Sequence, residues 1–374
     1  MENFKLLQLV PSMHSGGVEQ GTIDLANFLS EKNFLNYIAS SGGRLLKNIK
    51  HKNTQHIDLP LNSKFFFKYP FLANKLQTKI DQFGINVIHF RSRAPAWLLP
   101  FLSKKNVLSV STFHNVYGNE NIIKSFYNKQ LGNVNSIVAI SEYVKNEIIK
   151  QYGFPEKKIT VINRGCDIEF FDPNQVTNNK INKIILENKI PFNKKIILFP
   201  GRITEWKGQI KFLEVVKFFK EKDLFFIFVG DTKNYSFANK FLKKIKEYNL
   251  GHICKVIDNV SHDDLRTMYF MSNIIISAPL KPEGFGRIIS ESLLMKKIIL
   301  AYNFGGAKDQ LYKLNDLYKV EPKNIKMLIK KINIALNYNF EEHENLSNES
   351  RLHIIKYFSK QNMLSKYLDL YLNL

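Results

Sequence analysis

Two glutamates stand eight positions apart in the last third of the sequence. Glu283 lies in the run Pro-Glu-Gly-Phe-Gly-Arg that ends at Arg287, and Glu291 lies on the helix predicted to follow. N–H groups at a helix start bind diphosphate oxygens, and carboxylates accept hydrogen bonds from sugar and ribose hydroxyls. The pair therefore indicates a sugar-nucleotide site. Taken alone, each acid also fits a plainer role, on a solvated helix face or beside a helix dipole.

A second loop carries cations. The run Phe-Pro-Gly-Arg-Ile-Thr-Glu-Trp-Lys-Gly, residues 199–208, places Arg202 and Lys207 after a predicted strand. Fixed cations at the mouth of a sheet stabilise the charge on a departing nucleoside diphosphate without a metal. The alternative is a solvated surface loop.

The first half of the chain offers two further candidates. Gly16 and Gly17 follow the first predicted strand, where glycines allow a ligand close to the backbone and leave helix N–H groups free for an anion. A plain tight turn is the alternative, and no G-x-G-x-x-G fingerprint is present. His114 follows a strand on the expected ligand side, although a lone histidine also fits a structural role.

Strand and helix patterns alternate along the chain and predict an α/β fold. The pattern predicts parallel sheets with helices on both faces, whose ligands bind beyond the carboxyl ends of the strands. A polar stretch around Asp172-Pro173 and Pro191 breaks the rhythm. We therefore predict two Rossmann-like, doubly wound domains facing across a cleft, covering residues 1–175 and 176–355. Predicted strands lie at 6–10, 37–40, 87–90, 107–112, 137–140, 196–199, 225–229, 253–257, 274–277 and 298–301, and predicted helices include 94–102 and 286–295.

The length, cysteine count and net charge of the chain limit the functions that it can have. With 374 residues the chain is long enough for two domains. We find no apolar run of about 18 residues, and two distant cysteines favour a reducing cytoplasm. The net charge of +21 reflects either a lysine-rich composition or attraction to an anionic membrane or acidic glycan. Because no recognition motif accompanies the charge, nucleic acid is not an expected partner.

Two local patterns bear on partners. The run Lys64–Tyr69 mixes cations and aromatic residues, which suits a membrane interface or a buried aromatic turn equally well. No His/Cys set has metal spacing, and Ser261 with the acids after it is expected to cap a helix. We therefore expect no metal and no cofactor other than the nucleotide-sugar substrate.

Taken in order, these motifs resemble the retaining nucleotide-sugar glycosyltransferases of family 4, the group 1 transferases with a GT-B fold. The resemblance rests on residues 16–19, 113–114, 138–141, 161–167, 201–208 and 283–291, and on residues 358–367, which resemble the family's closing helices that cross back to the first domain. It extends the first domain by a helix at about 356–374.

The resemblance also implies roles for the candidate residues. Arg202 and Lys207 would hold the donor diphosphate, Glu283 would lie by the transferred sugar, and Glu291 would bind the ribose hydroxyls. The backbone of Phe285, Gly286 and Arg287 would also meet the phosphates. Gly16 and Gly17 would close over them, and His114 would contact the donor sugar near the reacting carbon.

The chain departs from the family pattern at several positions. It has Asn163-Arg164-Gly165-Cys166 where many members have Pro-Asn-Gly before Val-Asp, and Lys296, Ile298 and Asp309 also differ from the usual residues. The resemblance implies transfer of a sugar from a UDP- or GDP-linked donor to a glycan or glycolipid hydroxyl, in lipopolysaccharide or other cell-envelope polysaccharide synthesis. The expected location is the cytoplasm, with peripheral contact to the inner face of the membrane. An epimerase or hydrolase of the same fold, or a non-catalytic glycan-binding protein, remains an alternative.

Overall fold

The computed structural model describes residues 4–14, 16–50, 52–63, 66–103, 105–118, 121–233 and 235–374. The chain divides into two compact units. Unit 1 contains Met1–Arg164 and Gln361–Leu374, and unit 2 contains Gly165–Lys360. Each unit is built on a parallel sheet, which confirms the predicted α/β class.

The sheet of unit 1 consists, within the described residues, of seven parallel strands in the order β3-β2-β1-β4-β5-β6-β7. Central strands such as β1 and β4 are buried along their whole length, because helices flank a parallel sheet on both sides. The strands are β1 Leu6–Leu9, β2 Asn36–Ser40, β3 Thr54–Asp58, β4 Val87–Phe90, β5 Leu108–Phe113, β6 Ser136–Ala139 and β7 Ile159–Val161. The helices are α1 Gly17–Glu31, α2 Tyr69–Phe83, α3 Ile122–Lys129 and α4 Glu142–Tyr152, joined by most of α13, Lys360–Leu372.

Helix α13 completes the core of unit 1 from far along the sequence. Leu364, Tyr367 and Tyr371 belong to the same apolar cluster as residues of β1, α1 and β4. Tyr371 also hydrogen-bonds the Nδ1 of buried His89 at 2.6 Å, and the hydroxyls of Tyr367 and Thr112 are 3.1 Å apart. Burial lowers the pKa of His89 well below its usual value, and the charge of Arg91 lowers it further.

Unit 2 contains, in its described part, a six-stranded parallel sheet in the order β10-β9-β8-β11-β12-β13. Its strands are β8 Lys195–Pro200, β9 Leu224–Val229, β10 Cys254–Ile257, β11 Ile274–Ser277, β12 Ile298–Tyr302 and β13 Lys319–Val320. Its helices are α5 Asn178–Asn188, α6 Gln209–Phe218, α7 Tyr235–Glu247, α8 His262–Met271, α9 Arg287–Leu294, α10 Ala307–Leu311, α11 Ile325–Leu336 and α12 Phe340–Phe358.

The structure corrects one predicted element. The segment predicted as a helix at 94–102 is a 3-10 helix, Pro95–Phe101, with Pro100 inside it. Proline lacks the N–H that an α-helix needs and clashes with the preceding turn, so the tighter and shorter form is found here. The predicted helix at 286–295 is α9, and it begins one residue later than predicted because Gly286 is left-handed.

Other expectations can be compared directly. Ser261 caps α8 by accepting a hydrogen bond from the Asp264 amide at 3.0 Å, as predicted. Cys166 and Cys254 are both unpaired and buried. None of the helices in the described ranges is long and apolar enough to cross a membrane.

Candidate active site

The loop after β8 fixes the position of the two predicted cations. It runs from Gly201 through a 3-10 turn at Glu205–Lys207 to Gly208. Gly208 has φ 87°, and a side chain there would overlap the backbone carbonyl of Ala278. The Gln209 side chain donates to the Arg202 carbonyl at 2.9 Å. A glycine is therefore needed immediately after Lys207, and the backbone around both cations is held by defined contacts.

Lys207 and Glu283 form an ion pair. The Nζ atom of Lys207 lies 2.5 Å from Oε1 of Glu283, and the two side chains are 12% and 16% exposed. The ammonium also lies 4.7 Å from the ring centroid of Trp206, and the Arg202 guanidinium lies 5.9 Å from it. The structure thus brings two predicted site residues into contact and gathers both cations around one indole ring.

The turn that carries Glu283 is held by a second glycine pair. The Gly306 amide donates to the Glu283 carbonyl at 2.8 Å. Gly305 has φ 60°, and side chains at either glycine would overlap the backbone of residues 283–285. The Gly-Gly pair after β12 therefore packs against the turn that carries Glu283, the acid predicted to lie by the transferred sugar.

Gln310 on α10 fixes the start of α9. Its side-chain amide donates to the carbonyls of Phe285 at 2.6 Å and Gly286 at 3.2 Å, and it accepts from the Ser290 hydroxyl. Gly286, with φ 84°, precedes α9 without a side-chain cap. The first N–H groups of α9 therefore carry no side-chain acceptor, which is the arrangement that suits an anion.

Glu291 is buried on α9 and held by a tyrosine. Its side chain is 8% exposed, and Oε2 accepts from the Tyr269 hydroxyl at 2.9 Å. Its other oxygen, Oε1, lies 3.8 Å from Nε of Arg287, one helical turn earlier. Burial raises the pKa of Tyr269 well above its usual value, and the charge of Glu291 raises it further. Burial also raises the pKa of Cys166, with a further contribution from Glu291. Tyr269 thus stays protonated and donates to the Glu291 carboxylate.

His114 lies in unit 1 beside an arginine. The Arg164 guanidinium lies 3.2 Å from Nδ1 of His114. Because a guanidinium cannot accept a hydrogen bond, Nδ1 is the acceptor and the proton of the neutral ring is on Nε2. Burial lowers the pKa of His114 well below its usual value, the charges of Arg164 and Arg91 lower it further, and a weak contact with the Arg91 backbone acts in the opposite direction. His114 is therefore neutral at physiological pH and presents a donor.

The glycine pair of unit 1 begins α1. Gly16 has φ 133°, a conformation that favours glycine, and precedes the helix without a side-chain cap. A side chain at Gly17 would overlap the guanidinium of Arg164. The absence of side chains here therefore makes room for Arg164 as well as for any ligand.

The candidate residues divide between the units. Unit 1 holds Gly16, Gly17 and His114, and unit 2 holds Arg202, Lys207, Glu283, Phe285, Gly286, Arg287 and Glu291. Across the part of the chain that the structure describes, no group of three His, Cys, Asp or Glu side chains is arranged to hold a metal ion. The chemistry that this arrangement can support is charge stabilisation by Arg202 and Lys207 beside two carboxylates.

Comparison with known proteins agrees with this fold and these loops. The family described as "Glycosyltransferase Family 4" matches residues 15–170, and the family described as "Glycosyl transferases group 1" matches residues 180–353. A glycosyltransferase crystal structure from Rickettsia africae shares 34% identity with a TM-score of 0.89, over 99% of this chain and 98% of that one. The fold and its loops define a GT-B glycosyltransferase. The chain belongs to the group 1 glycosyltransferases of family 4.

Other similar proteins share less sequence identity with this chain. The capsular polysaccharide biosynthesis glycosyltransferase CapM of Staphylococcus aureus is 25% identical over 96% of this chain and 95% of its own. An uncharacterized glycosyltransferase of Methanocaldococcus jannaschii, MJ1178, is 26% identical, over 61% of this chain and 58% of its own length. The Anabaena protein Alr3699/HepE, solved in complex with UDP and glucose, shares the fold at 17% identity and a TM-score of 0.81, with all of both chains covered.

Proposed function

We propose that this protein transfers a sugar from a UDP- or GDP-linked donor to a hydroxyl of a glycan or glycolipid, with retention of anomeric configuration. The observation that carries the proposal is the ion pair of Lys207 and Glu283, set beside the uncapped start of α9. One cation and one helix start suit a diphosphate, and the adjacent carboxylate suits a sugar hydroxyl. The name of CapM and the UDP and glucose bound to HepE support the substrate class.

The proposed reaction needs no metal. The bond between the anomeric carbon and the leaving phosphate oxygen breaks, and a bond to the acceptor oxygen forms on the same face of the sugar. The acceptor proton passes to the leaving phosphate. Arg202 and Lys207 stabilise the charge that develops on the diphosphate, and Glu283 orients the sugar from the Lys207 side. Glu291, held by Tyr269, takes the ribose hydroxyls.

A donor panel tests this function. Purified protein is incubated with UDP- and GDP-linked hexoses, with and without glycan acceptors, in excess EDTA. We expect nucleotide release that depends on an acceptor, retained configuration in the product, and turnover lower by orders of magnitude in Glu283→Gln. Nucleotide release without acceptor, or a donor converted to its epimer, would support the alternative enzymes of this fold. Strict dependence on added divalent metal would contradict the metal-free mechanism.

We propose that the acceptor is presented at an anionic membrane surface. In the predicted interfacial run, Lys64 and Phe65 lie outside the described residues, Phe67 is 76% exposed and Tyr69 is buried. Helix α3 offers a stronger apolar face in the same unit, because Ile122, Ile123 and Phe126 are all exposed. With a net charge of +21 this combination suits an anionic interface.

Liposome flotation tests the membrane proposal. Wild-type protein is expected to float with vesicles that contain anionic lipid and to stay below with purely zwitterionic vesicles. The double variant Ile123→Ser and Phe126→Ser should lose most of this binding. Leu352→Ser, which changes an equally exposed leucine on α12 of unit 2, is the matched control. Equal flotation of the double variant and the control would contradict the assignment of α3.

A further inference from the structure

Unit 1 places its arginines at one edge of its sheet. The chain has eight arginines among 54 basic residues, and four of them belong to this unit. Arg44 follows β2, Arg91 and Arg93 follow β4, and Arg164 follows β7, so each stands after the carboxyl end of a strand. Arginine presents a planar fork of donors that matches carboxylate and phosphate oxygens, which lysine does not.

Arg91 is a buried cation. It is 3% exposed, and its Nε and NH1 atoms have no hydrogen-bond partner among the described residues. Its guanidinium lies 5.4 Å from the ring centroid of Tyr367. A side chain at Gly21 would come within 3.2 Å of the guanidinium, so glycine leaves room for it. A buried charge without a counterion is costly and leaves a strong preference for an anion.

Among the described residues, the contacts of Arg93 are with neutral side chains. Its NH1 donates to the Asn128 side chain at 2.7 Å, and its guanidinium lies 4.1 Å from the ring centroid of Tyr117. Neither contact neutralises the positive charge. Arg93 is therefore a second cation at this edge of the sheet whose charge an anionic ligand would neutralise.

His114 and Tyr117 connect the three arginines. Arg164 lies 3.2 Å from Nδ1 of His114, and Arg93 lies 4.1 Å from the ring centroid of Tyr117. The charges of Arg164 and Arg91 lower the pKa of His114, and those of Arg93 and Arg164 act to lower the pKa of Tyr117 against the effect of burial. The Nε2 atom of His114, which carries its proton, has no partner of regular hydrogen-bond geometry in the described chain. We call Arg91, Arg93 and Arg164 the arginine cluster.

Most arginines of unit 2 have acidic neighbours. Arg266, Arg287 and Arg351 each lie within 4 Å of an acidic side chain. Within the described ranges, neither Arg91 nor Arg93 has such a partner. Ion pairs thus neutralise three of the four arginines of unit 2, whereas Arg91 and Arg93 would need an anionic ligand to neutralise them.

We propose that the arginine cluster binds a carboxylate or phosphate group carried by the sugar acceptor. The inference rests on the proposed function, because it takes the acceptor to be the substrate of unit 1. The negatively charged group would be received by the forks of Arg91 and Arg93, and Arg164 would add further positive charge. The acceptor in this proposal is therefore an acidic glycan or a phosphate-linked saccharide.

The test uses the full chain with saturating UDP, so that nucleotide sites are filled before the anion is added. Inorganic phosphate and D-glucuronate are titrated by calorimetry at constant ionic strength, with D-glucose as the neutral comparison. Wild-type protein is expected to bind at least one of the two anions and not glucose. Arg93→Gln and Arg164→Asn should each weaken that binding at least tenfold. Lys150→Gln, which removes an exposed charge at the far end of α4, should leave it unchanged.

Each other outcome overturns the proposal. Failure of both anions to bind, or equal binding in all variants, removes the site. If phosphate binds in a parallel titration without UDP but not after UDP saturation, the cluster receives the nucleotide's diphosphate instead of an acceptor group. The proposed function is judged separately from the UDP titration itself. If the wild type bound neither UDP nor GDP, the nucleotide-sugar reaction would be rejected, while a phosphate site would still be measurable.

Discussion

Glu283 and a bound diphosphate are expected to compete for Lys207. In the structure the Lys207 ammonium is already neutralised by Glu283 at 2.5 Å. A nucleotide that contacts Lys207 must share it with this carboxylate. Glu283→Gln removes the competing charge and keeps the shape of the side chain. We therefore expect the variant to bind UDP more tightly than wild type while it loses sugar transfer.

The magnitude follows from the burial of the pair. Exposed ion pairs contribute at most about 1 kcal/mol, and truncating one partner of a buried pair costs about 3–5 kcal/mol. With 12% and 16% exposure the pair lies between these limits, so we take about 2 kcal/mol. This corresponds to roughly a 30-fold change in Kd. Lys207→Gln should weaken UDP binding by about that factor, and Glu283→Gln should tighten it by up to the same factor.

Calorimetric titration of UDP into the wild type, both single variants and the double variant measures these changes. Urea unfolding of each variant checks that the fold is retained. The double variant should bind UDP about as weakly as Lys207→Gln, because Glu283 acts through Lys207. If Glu283→Gln weakens UDP binding as strongly as Lys207→Gln, the two groups do not compete and the reasoning fails.

Three further predictions address the supports of the site. Gly208→Ala should lose about 2 kcal/mol of unfolding free energy in urea, from left-handed strain and overlap with a neighbouring carbonyl; Gly153→Ala, at φ 70° with open space around it, should lose less. Tyr269→Phe should weaken UDP binding about tenfold, since a hydrogen bond to a charged group contributes about 1.5–3 kcal/mol; unchanged calorimetric affinity would show that Glu291 needs no such support. Because the pKa of His114 is lowered on folding, protonation favours the unfolded state below pH ~6.5 and stability is lost as the pH falls, by up to about 1.4 kcal/mol per pH unit. His114→Gln should show a shallower loss between pH 6.5 and 5 in chemical unfolding, and identical slopes would contradict the assignment.

Much of the fold was predictable because buried parallel strands have a strong sequence pattern. Fully apolar runs such as Ile274–Ser277 are strands in the structure. The strand β3, Thr54–Asp58, was missed because it forms the edge of the sheet and four of its five residues are polar. The exposed helix α3 was missed because its apolar residues face outward and carry no core periodicity.

The contacts within the site were less predictable than its residues. Lys207 and Glu283 were both candidates, but they are 76 positions apart and only the folded sheet brings them together. Tyr269 and Gln310 were missed because a buried polar residue on a helix has the same spacing as a core residue. The position of Gln310, four residues after the Gly-Gly pair, was the one available signal for it. The roles of all the candidate site residues, in both units, remain predictions.

The contribution of residues 361–374 to unit 1 has a consequence for how the chain folds during synthesis. Leu364, Tyr367 and Tyr371 are translated only after the whole of unit 2. At about 5–20 residues per second, roughly 200 residues take ten to forty seconds. During that interval the N-terminal segment lacks the apolar residues of α13 that complete its core. His89 also lacks its hydrogen-bond partner, Tyr371. Unit 2, which is continuous in sequence, can fold before unit 1, so the nascent N-terminal segment is the part of this protein that a chaperone has to protect.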